Sequence, residues 1–251
     1  MVPAALLLLV AALGLITVAC GGEEATESLA DAPTTAPPSE PEGRAFTLAD
    51  AETIVTSVLL SPDDLEGDWE ITSDQRVDNA AAAAAAPDRA SLFEQCGRLL
   101  NRTIQNTPLD PVTTFLAGDT LAFFSTVTVY ATRSGARVCV DEESVRLQQP
   151  GELARAVGDV FVDPDAVVVT PIEFPSIGET SFAATLAGPI ETGGTIISVT
   201  VLLVGFLEGQ VSGAVGSVRV MAPPVDELAS LASLVVERIA AATSALEAVG
   251  P

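Results

Sequence analysis

The strongest pattern in the chain is a run with no polar face. Between Thr195 and Leu207, the residues Ile196, Ile197, Val199, Val201, Leu202, Leu203, Val204 and Phe206 fill both sides of an extended segment. Such a strand is predicted to be central, with other layers above and below it. Glu208-Gly209 then forms a tight hairpin turn into a second strand, Gln210 to Met221, whose Gly213 and Gly216 mark a bend or the close approach of another group. Further strands are expected at Ala166 to Phe174 and Thr180 to Ala187. Upstream, Val112 to Ala117 and Leu121 to Thr132 flank Gly118-Asp119 and predict a hairpin in which Thr126, Thr128 and Tyr130 lie opposite Phe123, Val127 and Val129.

Helical spacing occupies other stretches. Thr47 with Asp50 forms a capping box, after which Leu48, Ala51, Ile54, Val55, Val58 and Leu59 recur along one face. Ser61-Pro62 stops that helix and opens a short turn, with Ser61 as cap and Pro62 in the first helical position. Ala80 to Ala86, closed by Pro87, lacks a large apolar face and reads as a low-complexity insertion in a loop. Leu92, Phe93, Cys96, Leu99, Leu100 and Ile104 then predict a helix from about Asp88 to Gln105. Weaker patterns predict helices at Ser134 to Gln148 and Glu152 to Val160. Pro223-Pro224 opens a long final helix, with Leu228, Leu231, Val235, Ile239, Ala242 and Leu246 in one stripe lying across the sheet. The predicted class is α+β: an antiparallel sheet of about five to six strands packed against helices, with a long C-terminal helix.

The N-terminal region has a different character. Residues 2–18 are uniformly apolar and lead into Ala19-Cys20, followed at once by Gly21-Gly22-Glu23-Glu24. This resembles a lipoprotein signal peptide, over residues 1–19, in which Cys20 is acylated and becomes the first mature residue. Thr17 stands where such signals prefer Leu, and no basic residue precedes the apolar run, which suggests translation starting further upstream. From residue 20 to 45 the chain turns to Glu, Ala, Thr, Ser and Pro, including Pro33, Pro37, Pro38 and Pro41. Too little apolar surface is present to offset the entropy of folding, so a disordered tether is expected, spanning roughly 25 to 30 Å on average. A single globular domain is expected over residues 46–251, outside the cytoplasm and held to the outer face of the membrane.

Composition narrows the chemistry. The chain has 251 residues with 34 Asp plus Glu against 11 Lys plus Arg, a formal net charge of −23, and no His. Every basic residue is Arg. That balance repels phosphate backbones, which argues against nucleic acid as a partner. Without His or Lys there is no imidazole base, Schiff-base amine, Walker lysine or histidine-bearing metal site. No catalytic residue, cofactor or metal is therefore expected. Aromatic residues make up 4% of the chain, with one Trp, Trp69, read as a packing anchor ahead of a binding surface.

Three acidic clusters lack calcium-loop spacing and read as solvated charge: Asp63, Asp64, Glu66, Asp68 and Glu70; Asp141 to Glu143; and Asp163 with Asp165. A carboxylate hydrolase would need two of these groups facing each other in a cleft. Cys96 and Cys139 are, in an oxidising compartment, most simply a disulfide, with buried free thiols as the alternative.

The order of parts is similar to one group of proteins. A lipobox, a Pro-rich stalk, LLSPDDLEGDW, a Cys on the following helix, a hairpin carrying STVTVY, a second Cys, FPSIGETSFAATL, VGFLEGQVSGAVGSV and a closing ELASLASLVVERI helix resemble the extracellular sensor-type lipoproteins related to the PknH kinase ectodomain and the LpqN-like lipoproteins. The resemblance implies a PsbP-like fold with a surface cleft. One disulfide is available here where the kinase ectodomain has two, and no ligand-binding residue transfers. The expected function is a non-catalytic binding or sensor-like domain for a cell-envelope ligand or protein partner. The alternative is a carrier of lipid or another apolar ligand between the sheet and the C-terminal helix.

Overall fold

The computed structural model describes residues 43–110, 120–147, 161–192, 194–220 and 224–249. Within them one antiparallel sheet of seven strands runs β1-β2-β3-β7-β6-β5-β4. The strands are β1 (Trp69–Asp78), β2 (Arg98–Pro108), β3 (Thr120–Tyr130), β4 (Val168–Pro171), β5 (Thr180–Thr192), β6 (Thr195–Glu208) and β7 (Val211–Arg219). Five α-helices accompany them among the described residues: α1 (Leu48–Ser57), α2 (Asn79–Ala85), α3 (Ala90–Gln95), α4 (Arg133–Leu147) and α5 (Val225–Val249).

β6 lies inside the sheet between β7 and β5, and its two apolar faces enter two separate cores. Val199, Val201, Leu203 and Leu207 join Phe124, Phe182, Leu186 and Val218 on the face near α4. Leu202, Val204 and Phe206 join Phe123, Val127 and Val215 on the other, covered by Ile54 and Val55 of α1 and by Val235 and Ile239 of α5. Full burial of each such side chain contributes about 1.5–3 kcal/mol. Between the sheet and α5, these described side chains pack into one apolar cluster.

Three glycines let the middle strands close up. Each faces a phenylalanine as its direct cross-strand partner: Phe182 with Gly205, Phe206 with Gly213, and Phe124 with Gly216. In every pair the ring occupies the space that a Cβ on the glycine would take. The close approach expected at Gly213 and Gly216 is this stacking of a ring over bare backbone.

Several predicted elements are corrected. The sheet has more strands than the expected five to six, because Trp69–Asp78 is a strand and Arg98–Pro108 is one too. The helix expected from Asp88 to Gln105 is confined to Ala90–Gln95. Gly97, at φ +61°, turns the chain out of the helix and into β2. Along β2 the sides alternate, but one of them buries Asn101, Thr103 and Gln105 instead of apolar residues. Asn101 Nδ2 donates to Thr126 Oγ1, Val127 O and Thr128 Oγ1 at 3.0–3.1 Å and Thr103 Oγ1 to Thr126 Oγ1 at 2.8 Å, which pairs two members of that stripe across the strands, while the Gln105 side-chain amide is buried without a partner among the described residues. The alanine tract forms α2, capped by Asp78 Oδ1 on the Ala81 N–H, with Ala82 buried against the sheet edge. Ala side chains cost no rotamer entropy, so a short helix forms without a large apolar face. Leu48, expected inside, is 52% exposed. The strand expected at Ala166 to Phe174 shortens to β4, whereas the one from Thr180 extends to Thr192. Val112 to Ala117, Glu152 to Val160, the leader and residues 20–42 of the tether lie outside the described residues, while the last part of the expected tether is described, with Arg44 paired to Asp50 at 2.8 Å.

Both predicted caps are present. Thr47 and Asp50 close a capping box on α1, and Ser61 with Asp64 close another on the 3-10 turn Pro62–Asp64. Asp64 also accepts a two-armed bond from Arg238 of α5, at 2.9 and 2.5 Å, which fastens the final helix to the turn. The first described residues dock at one end of the sheet. There Phe46 N donates to Ala131 O at 2.8 Å and Gln210 Nε2 donates to Ala131 O at 2.7 Å.

Candidate functional site

At the opposite end of the sheet, four strand ends and the start of α5 surround a pocket of about 480 Å³. Its size falls in the range of small-molecule sites, roughly 300–1,000 Å³. The aromatic part is Trp69, at the start of β1, beside Phe123 of β3, with ring centroids 5.1 Å apart and planes tilted by 57°. The indole is fixed by its own N–H, which donates to Glu66 O at 2.7 Å. Gly67, at φ +98°, allows the turn that brings the Glu66 carbonyl back to the indole N–H.

The rim is charged. Glu66 and Asp68 come from the turn before β1, Asp110 follows β2, and Glu227 sits in the first turn of α5. Arg219, at the end of β7, is the cation among the described lining residues. Its Nη2 donates to Glu227 Oε2 at 3.0 Å and its Nε to Thr120 Oγ1, so its charge is matched from within. Leu109, 58% exposed, adds an apolar edge. The combination is an aromatic floor under an acidic rim. It is suited to holding a ligand by contact.

The first acidic cluster therefore splits three ways. Asp64 belongs to the Arg238 clasp, which holds its carboxyl at about 2, below its ordinary 3.8, chiefly through the guanidinium hydrogen bonds. Glu66 and Asp68 line the pocket, and Asp63 and Glu70 are exposed. Asp141 and Glu142 are exposed on α4, and Asp163 and Asp165 are exposed before β4. Among the described residues no group of three potential metal ligands comes together.

At the far end from the pocket, by the β6–β7 turn, Glu179 and Glu208 lie close enough to interact. Burial raises Glu179, but the Gly209 N–H, Arg137 and Arg133 together outweigh it and hold the carboxyl below its ordinary value. Glu208 is pushed up, first by burial and then by the Glu179 charge. Glu179 is the centre of an arginine clasp that joins α4 to the hairpin, and Glu208 lies beside it, outside the pocket. Cys96, at the end of α3, and Cys139, in α4, stand at disulfide distance with Cα atoms 5.5 Å apart. Cys20 lies outside the described residues.

Sequence reasoning singled out Trp69 and the neighbouring acids but gave no sign that they meet Phe123, Arg219 and Glu227. Strand pairing alone brings those positions together. No family model matches the chain, and no curated protein matches it in sequence. A search of solved structures finds the extracellular domain of PknH from Mycobacterium tuberculosis, at 8% identity and a TM-score of 0.40, covering 78% of this chain and 93% of that one. That is a weak likeness in outline.

Proposed function

We propose that this chain is a lipoprotein, acylated at Cys20 and displayed outside the cytoplasm, whose domain binds a cell-envelope ligand or protein partner without chemical turnover. The observation behind this reading is the pocket at the sheet end. It offers Trp69, backed by the buried Phe123, as a contact surface, and a chain without His or Lys supplies it with no imidazole or amine for proton or acyl transfer. The leader ending in Ala19-Cys20 and the Pro-rich segment after it support the anchor and the tether. In an oxidising compartment the Cys96–Cys139 pair forms a disulfide, and the antiparallel sheet with its long C-terminal helix is compatible with the PsbP-like fold that the sequence resemblance implies.

Trp69 is the chain's single tryptophan, so its fluorescence reports on the pocket directly. A panel of envelope glycans, peptides and candidate proteins is titrated against the protein while that signal is followed. At least one class is expected to shift it saturably, and failure across the whole panel overturns the binding reading. Anchoring is tested separately by labelling cells with a radioactive or clickable fatty acid. Label is expected on the parent and absent from Cys20→Ser; an unlabelled parent protein refutes the anchor.

A further inference from the structure

We infer that the pocket at the end of the sheet selects an organic cation, an ammonium group carried on an apolar body. This rests on the pocket being a binding site and adds the chemistry of what it takes. Trp69 is the ring type best suited to attract a cation to its face, and it stands half-buried over a cavity large enough for a drug-sized molecule. Glu66 and Asp68 flank it on the turn, both exposed at the rim, and Asp110 adds a third carboxylate from the end of β2. Two features oppose a cation there, Arg219 and the positive end of α5. Glu227 answers both, since it sits in the first turn of that helix and holds Arg219 Nη2 at 3.0 Å. Glu66 and Asp68 are therefore in excess of the cation that the pocket's described lining supplies. The apolar body of the ligand finds the exposed Leu109 beside the indole.

A generally acidic protein attracts cations everywhere, so the test must separate this pocket from the net charge of −23. The full chain, purified in a non-ionic detergent, is titrated with three probes of one shape: phenethylammonium, phenethyl alcohol and phenylacetate. Trp69 fluorescence and the indole N–H resonance are the readouts. Phenethylammonium is expected to bind about tenfold or more tightly than the alcohol, with phenylacetate weakest. In the E66Q/D68N variant that preference should fall several-fold. D141N/E142Q removes the same charge from exposed positions on α4 and should leave the preference intact. Equal or tighter binding of the alcohol or the anion at Trp69, or equal losses in the two variants, overturns cation selection while the pocket remains a binding site. If no probe perturbs Trp69, cation selection fails, and only the wider panel then speaks for a binding site.

Discussion

Substituting Gly216 by Ala tests the phenylalanine–glycine stacking on which the centre of the sheet depends. An alanine in a strand interior normally gains about 0.5–1 kcal/mol over glycine, because less backbone freedom is lost on folding. Here the added methyl would occupy the space of the Phe124 ring, which is fully buried and is the direct partner of Gly216 across the β3–β7 pair. Overpacking of a dense core costs about 1–3 kcal/mol. The net expectation is a loss of about 1–2 kcal/mol, a drop in Tm of about 2–8 °C for a domain of this size. Urea unfolding followed by far-ultraviolet circular dichroism gives the value by linear extrapolation.

The mechanism is separable from a general intolerance of the strand. Phe124→Ala alone should cost about 3–5 kcal/mol, as for other buried phenylalanines. In that background the ring is gone, so Gly216→Ala should become neutral or favourable by up to about 1 kcal/mol. The two substitutions then couple with a sign opposite to simple addition. A Gly216→Ala protein as stable as the parent, or one equally damaged with and without Phe124, refutes the stacking explanation.

Other predictions concern charge and the cysteines. Asp64 titrates at about 2 in the folded state against 3.8 ordinarily, so its clasp with Arg238 stabilises fully above pH 4 and is lost as pH falls from 4 towards 2. Asp64→Asn should remove about 1–2 kcal/mol at neutral pH, after discounting for solvent screening, and flatten that part of the acid denaturation curve. Glu208 behaves oppositely. Its folded pKa is raised by burial and by Glu179, so the fold loses stability as pH rises through the carboxylate range, and Glu208→Gln should raise Tm at pH 7 but not at pH 4. Reducing the Cys96–Cys139 pair, or introducing Cys139→Ser, opens a loop with a sequence separation of 43 and should cost up to about 4 kcal/mol by chain entropy; equal Tm with and without reductant would show that no bond forms.

How much of this was legible in the chain depends on whether a position's burial matched its polarity. The two capping boxes, β6, the β6–β7 turn and α5 follow from apolar periodicity and cap residues, and they appear where those signals place them. β2 failed because Asn101, Thr103 and Gln105 are buried polar groups, which erased the alternation and left Leu99, Leu100 and Ile104 to mimic a helical stripe after Leu92 and Phe93. Gly97 was the overlooked break. β1 failed because it is an edge strand whose sides are half-exposed throughout, so WEITSDQRVD carries little hydrophobic contrast. The pocket draws on segments near residues 66–69, 108–110, 120–123, 219 and 227, and no local pattern links them. Only the turn opened by Ser61-Pro62 and the lone Trp69 stood out locally, and that Trp reads from the sequence as a packing anchor.

The first described residues dock beside Ala131, just past the end of β3, while the pocket opens by Thr120 at the beginning of that strand. Eleven residues of strand separate the two, about 33 Å. If Cys20 is the anchor, the stalk joins the domain at the pole away from the mouth, and the coil expected of that stalk lets the mouth swing through a range of heights up to on the order of 60 Å above the bilayer. What this mouth can sample is the surrounding envelope space, including whatever neighbouring surfaces present into it.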